Sequence, residues 1–346
     1  MRTALLSAAI LIFHSHCCWA GNKAGGAKHQ AAAPLTRCLK DTNPDTAFGF
    51  CLQTAQKGVA QAQFRLGDFY REGLGTGKNA EEAAKWYLAA AQQGLADAQY
   101  TMGLAYFYGD GVPQNLAESA KWYLKAAEQG DLNAQGNLAT MYYRGEGVEK
   151  NIAQAVSWYG KAAAKGYAQA QLALGLLYYH GDGVEKNAIE AEKLLRKAAE
   201  QGIPEAQLNM GSLYLTGEVV KQSPAEALKW YRKAAEQQSA KAQFNLASMY
   251  YNGNGTEKNS SEAAKWFHQA ARQGHAMAQF NLGLLYYKGD GVPLDYMKAH
   301  VWLSLAAAGG AENATGLIAL VEMKMTPAQL AEARETARKI SQQKRS

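Results

Sequence analysis

Between Ala98 and Gly130 the apolar positions follow a helical period twice, and glycines mark each stop. Ala98, Met102, Ala105 and Tyr106 have the i, i+4, i+7, i+8 spacing of one helix face. Gly109 and Gly111 close that helix, because glycine takes positive φ without a Cβ penalty. A second helix is predicted from Asn115, whose side chain can accept an orphan backbone N–H, with Glu118 three residues on. Trp122, Ala126 and Gln129 run along it until Gly130. Ser119 stands where other copies carry Ala83, Ala155, Ala191, Ala227 and Ala263, and is expected to bond back to a carbonyl of its own preceding turn. The stretch reads as an antiparallel helix pair joined by a glycine loop.

This pair recurs every 36 residues. Ala-Gln falls at 62–63, 98–99, 134–135, 170–171, 206–207, 242–243 and 278–279, with a worn eighth copy at Ala314-Thr315. The same helix start appears at Asn79/Glu82, Ser223/Glu226 and Asn259/Glu262, with Pro224 at a first helical position. A large side chain repeats at Trp86, Trp122, Trp158, Leu194, Trp230, Trp266 and Trp302, and a tyrosine at 70, 106, 142, 178, 214, 250 and 286. Gly67, Gly103, Ala139, Gly175, Gly211, Ala247 and Gly283 hold the position where two helices cross closely. A period of this length means stacked supersecondary units rather than one globular core. Aromatics that repeat so strictly read as packing, not as platforms for bases or sugars.

The pattern A-Q-x-x-L-G-x-x-Y-x-x-G-x-G-V-x-x-N-x-x-E-A-x-K-W-Y-x-K-A-A-E-Q-G, matched at most positions over 62–94, 98–130 and 134–166, resembles the Sel1-like repeat family. Tetratricopeptide repeats are related but run at 34 residues. The resemblance, over roughly 43–310, implies an all-α, right-handed α/α solenoid of about seven repeats that binds proteins on its concave side. The repeat period itself favours a binding surface over an enzyme, and a non-catalytic protein without cofactor or metal is expected.

The ends complete the expected organisation. Residues 1–20, with Arg2, an apolar run from Ala4 to Phe13 and Cys18-Trp19-Ala20, read as a cleaved signal peptide. The run is too short to span a bilayer, and export points to the periplasm, ahead of secretion or a lipid anchor. Residues 21–34 read as a flexible linker with order beginning near Leu35, 35–58 as a partial N-terminal repeat, and 59–310 as the solenoid. Residues 311–346 read as a degenerate repeat, a capping helix from Thr326-Pro327 with Glu332, Arg334, Glu335, Arg338 and Lys339 outward, and a fraying tail. Beyond the signal, Cys38 and Cys51 are an even pair in an oxidising compartment, and a disulfide between them is expected.

Charge and chemistry change the picture little. The net charge of +6 is spread thinly, and Lys85, Lys121, Lys193, Lys229 and Lys265 form a row on the second helices that reads as a solvated face. No clustered Arg/Lys with interleaved aromatics suggests a nucleic-acid partner. The Gly-x-Gly elements follow helices rather than strands and lack a Lys-Ser/Thr, so they read as helix stops rather than phosphate loops. Asp110, Asp182 and Asp290 read as turn residues without an EF-hand series. His180, His268, His275 and His300 form no His-Glu-x-x-His pair, and no Gly-x-Ser-x-Gly elbow occurs.

The variable positions of the first helices, at 61, 65, 68 and 72 and their equivalents, share one helix face and are the expected contact surface. Arg65, Asp68, Glu72, Tyr108, Asn137, Arg144, His180, Asn209, Asn245, Asn252, Asn281 and Lys288 are its candidate partner-binding residues. Asn209, Ser212, Asn245, Ser248 and Asn281 are poor helix fillers, and presentation of amides and hydroxyls to a partner is one reason for them; a merely wetted surface is the other. The expected function is an exported scaffold gripping a protein. Its partner would be a secreted antibacterial phospholipase effector, making it an immunity protein, or an envelope or host component, making it an adaptor. A cell-wall or β-lactam hydrolase is the rival class, and glycan binding a third. Leu194, Val219 and Gln238 depart from the pattern around the fourth and fifth units, where a change of curvature is expected.

Overall fold

The structure, a computed structural model, describes residues 32–343, and every regular element among them is a helix. The expected signal peptide at 1–20 and the expected linker up to residue 31 lie outside the described residues. The chain divides into two compact units, Met1–Lys186 and Asn187–Ser346. The first holds α1 (Ala32–Lys40), α2 (Pro44–Ala55), α3 (Ala60–Glu72), α4 (Ala80–Gln92), α5 (Ala96–Tyr108), α6 (Leu116–Glu128), α7 (Leu132–Arg144), α8 (Ile152–Ala164) and α9 (Ala168–His180). The second holds α10 (Ala188–Glu200), α11 (Pro204–Thr216), α12 (Pro224–Glu236), α13 (Ala240–Asn252), α14 (Ser260–Arg272), α15 (Ala276–Lys288), α16 (Tyr296–Ala308), α17 (Ala314–Glu322) and α18 (Pro327–Gln343). Helix thus begins at Ala32, three residues before the expected onset of order, and α18 continues through two residues of the tail expected to fray.

Within each unit every helix up to α17 packs on the one before it in sequence, so a helix pair is one layer and its successor the following layer, while α18 returns to α16. At the crossings that carry glycine the first helix comes so close to the second that no Cβ fits, whereas Ala139 and Ala247 hold the same position in two other repeats. A methyl on Gly67 would stand 2.5 Å from the Tyr87 ring, and one on Gly103 2.4 Å from Tyr123. Ser119 does not bond within its own turn: its hydroxyl donates to the Gly103 carbonyl of the facing helix, at 2.7 Å. Close approach brings that carbonyl within reach, which sequence spacing alone does not reveal.

The two loop glycines do different jobs. The first, such as Gly109 at φ 77°, is a left-handed cap whose N–H returns to the carbonyl four residues back. The second lies on the preceding layer: a Cβ on Gly111 would sit 2.1 Å from the Ala80 carbonyl oxygen. It is therefore a docking point between repeats as well as a stop. The second helices start on Asn79, Asn115, Asn151, Asn187, Ser223, Asn259 and Asp295, whose side chains accept the N–H three residues on. The glutamates there turn outward to the lysine row, as in Lys85–Glu82 and Lys121–Glu118, both at 2.5 Å. That row is an ion-paired exposed face.

The repeated glutamine is a structural tie. Gln99, buried, donates to the Ala91 carbonyl of the preceding layer at 3.2 Å and accepts from Gln129 at 2.7 Å. Gln63/Gln93, Gln207/Gln237 and Gln243/Gln273 repeat this ladder. At the ends, a disulfide joins Cys38 to Cys51 with Cα atoms 4.6 Å apart, fastening α1 to α2. At the other end, α17 and α18 both pack on α16, and Glu322 meets His300 and Arg334, each at 3.0 Å.

Candidate functional site

A cleft of about 550 Å³ opens on the first-helix face of the first unit. Four of the expected contact residues line it: Arg65, Asp68, Glu72 and Tyr108. They are there because positions 65, 68 and 72 lie on the side of α3 away from the buried Ala62, Leu66 and Phe69. Tyr108 is the last residue of α5, just before the glycine cap, and half its surface is exposed.

At one end of the cleft Asp68 is the centre of a polar knot. It accepts the Tyr87 hydroxyl at 2.8 Å and lies 3.4 Å from Arg71 and 3.6 Å from Arg65. Burial pushes its carboxyl above the ordinary carboxylate range, outweighing the Tyr87 bond and the two long ion pairs. Arg71 also reaches Glu72 at 3.5 Å, and Arg65 stacks over the Phe69 ring. Both arginines are thus engaged within their own helix. Beyond them the cleft wall carries Asp97, Asp110 and Asp131, together with Tyr100 and Thr101. Asp131 caps α7 through the Ala134 N–H, and its carboxyl is raised first by burial and further by the Asp97 charge. The lining as a whole has two cationic and five acidic side chains.

The other candidates lie elsewhere. Asn137, on α7, sets its amide beside the Tyr100 and Tyr123 hydroxyls, yet Tyr123 Oη and Asn137 Nδ2 make no hydrogen bond of good geometry. Arg144 pairs with Glu146 of its own loop, and His180 is exposed with its ring edge on Tyr179. In the second unit the asparagine and serine run is engaged internally. Asn209 and Asn281 donate to the carbonyls of Glu205 and Met277, four residues back, each at 2.8 Å. Ser212 bonds the Leu208 carbonyl and the Tyr231 hydroxyl, and the Asn245 amide faces that same hydroxyl. Asn252 and Lys288 are exposed at the ends of α13 and α15.

The cleft also contains residues that the variable-stripe argument passes over. Tyr100 occupies a register position held by Phe64, Leu172, Leu208 and Phe244, so it reads as core. Asp131 reads as a helix cap and Asp110 as a turn residue, and both are that; only the fold shows that they also face the cleft. Among the described residues no group of three or more His, Cys, Asp or Glu is placed to hold a metal ion. No helix among them is long and apolar enough to cross a membrane.

Layered helix pairs with a framework that repeats and a face that varies define a repeat solenoid. The Sel1 repeat model matches seven consecutive segments, 60–95, 96–131, 132–167, 168–203, 204–239, 240–275 and 276–310, and the chain belongs to the Sel1 repeat family. A Sel1 repeat protein from Oxalobacter formigenes is 33% identical over 83% of this chain and 85% of its own, with a TM-score of 0.69. The protein c5321, a protective antigen present in uropathogenic Escherichia coli strains, is 30% identical over 90% of this chain and 83% of its own, at 0.58. The immunity protein Pa5087 from Pseudomonas aeruginosa is 27% identical over 63% of this chain and 83% of its own, but at a TM-score of 0.38 the likeness carries no functional argument. No curated protein is similar at a significant level.

Proposed function

We propose that this protein is a non-catalytic scaffold that binds a protein partner through the first-helix face of its repeats, centred on the cleft of the first unit, and that it works after export to the periplasm. One observation carries the reading. The repeating residues are engaged in the fold, as layer ties, crossings, caps and outer ion pairs, whereas the cleft gathers residues that differ from repeat to repeat, among them the half-exposed Tyr108. Tyrosine and arginine, both in the lining of this cleft, are among the side chains that most often anchor interfaces. Residues 1–20 supply the export reading, and the Cys38–Cys51 disulfide suits an oxidising compartment.

The test is capture from a periplasmic extract by residues 21–346, with two control proteins of unchanged circular dichroism. Arg65→Glu with Tyr108→Ala alters the cleft, whereas Arg144→Glu with Asn245→Ala alters the face outside it. Loss of one dominant partner in the first control alone is the expected result. Equal capture by all three would remove the cleft from the function. The partner's identity assigns the role: a phospholipase-type effector makes the protein an immunity protein, and an envelope component makes it an adaptor. Hydrolysis of peptidoglycan or a β-lactam by the purified protein would replace the scaffold reading with an enzyme.

A further inference from the structure

The cleft is acidic in a chain whose net charge is +6. Its two arginines do not correct this, because Asp68 and Glu72 already engage Arg71, and Asp68 and the Phe69 ring engage Arg65. Asp97, Asp110 and Asp131 differ from Asp68 in that none has an ion-pair partner among the described residues. Asp97 lies close enough to Asp131 for its charge to raise the Asp131 carboxyl, and neither makes an ion pair among the described residues. Asp131 is partly buried, and a carboxylate held so without a counter-charge is costly to the free protein, whereas Asp97 and Asp110 are exposed at the mouth of the cleft. A cation arriving from outside would gain the attraction of Asp131 in a medium less screening than water, with Asp97 beside it at the surface. Beside them stand Tyr100 and Tyr108, whose hydroxyls lie within each other's field and, for Tyr100, within that of Asp131. The half-exposed Tyr108 ring offers both apolar area for an alkyl stem and a π-face for its charged tip.

We propose that the part of the cleft bounded by Asp97, Asp131 and Tyr108 receives a lysine or arginine side chain from a basic segment of the protein partner. The inference rests on the scaffold reading and names the chemistry of its occupant. The repeats further along the stack do not duplicate the pair: its equivalents are Asn133 with Tyr167, Gln169 with Ile203, Glu205 with Ser239, and Lys241 with His275. The acidic pair therefore belongs to one place on the chain and can set the register of a bound segment.

The experiment uses fluorescein-labelled octalysine as the probe, titrated with the protein at about 50 mM and 300 mM salt and read by anisotropy, with labelled octaglutamate as the opposite-charge control. Asp97→Asn with Asp131→Asn removes both charges while asparagine keeps the α7 cap. Glu149→Gln with Glu257→Gln removes two exposed charges elsewhere and so matches the net charge. The expected result is a tenfold or greater loss of octalysine affinity in the first variant and less than twofold in the second. Equal losses, no octalysine binding, or equal binding of octaglutamate would each overturn the proposal. A partner captured through Tyr108 but indifferent to Asp97→Asn with Asp131→Asn would remove this inference and leave the scaffold reading standing.

Discussion

At the scale of single residues, the departures from the repeat are the informative positions. Gln238 stands where Gly94, Gly130, Gly166, Gly202, Gly274 and Gly310 take φ of 87–94°, and it is the sole non-glycine with positive φ among the described residues, at 64°. A Cβ in that region costs about 1 kcal/mol or more. Gln238→Gly should therefore raise the stability of the second unit by about 0.5–1 kcal/mol, less the entropy that glycine adds to the unfolded chain. A urea midpoint that does not rise would show that the glutamine side chain repays its backbone. Lys165 is the second such case. It occupies the place from which Gln93, Gln129, Gln237 and Gln273 donate, and the Gln135 Oε1 that would accept from it is buried without a partner. Lys165→Gln should complete the ladder and add about 1 kcal/mol, whereas Gln243→Ala should cost about 1–3 kcal/mol by removing its bond to the Ala235 carbonyl and leaving the Gln273 amide without its acceptor. Urea unfolding of the three proteins separates these signs.

At the scale of elements, helix existence and pairing were legible because period, cap and stop agree in most copies, and the copies with Val219 and Gln238 keep the period. Asn115, Gly109 and Gly130 mark their boundaries in the chain as they do in the fold. What each framework residue touches was not legible. Ser119 reaches across to Gly103 rather than back along its own helix, and Gly111 meets the previous layer, because both contacts depend on how far apart two helices settle. The site was legible in part: Arg65, Asp68, Glu72 and Tyr108 come together, but Tyr100 and Asp131 are hidden under ordinary core and cap readings. Helix spacing can be tested directly. Gly103→Ala forces a methyl into the Tyr123 ring and should cost about 1–3 kcal/mol, with Ala139 in the same register showing that a wider crossing is attainable. The capping helix offers a pH test. Hydrogen bonds from His300 and then Arg334 hold the Glu322 carboxyl below its ordinary value of 4.5. A depressed folded pKa gives stability that is present above the unfolded value and lost as pH falls through the folded one. Glu322→Gln should lower the melting temperature at pH 7, and the gap to the wild type should close below about pH 4.5. A gap that persists at pH 3 would mean that Glu322 acts through packing, not charge.

At the scale of the whole molecule, stability is built layer by layer. Each helix packs mainly on its sequence neighbours, so the energy of a unit is close to a sum of repeat terms and interface terms. Terminal layers have one interface instead of two and are the places where unfolding starts. The N-terminal layer answers this with the Cys38–Cys51 disulfide, both cysteines fully buried against Ala47, Leu66 and Phe69 in a small cluster of their own. A bridge across 13 residues restrains the unfolded chain by about 3 kcal/mol in the loop-entropy account. In a protein with one core that loss would be felt everywhere. Here it should be local. Cys38→Ser with Cys51→Ser should speed amide exchange across α1, α2 and the start of α3 by tenfold or more, while α11 to α16 exchange as before. Exchange that quickens evenly from α1 to α16 would show instead that the layers unfold as one body, and the nearest-neighbour account of this solenoid would have to be given up.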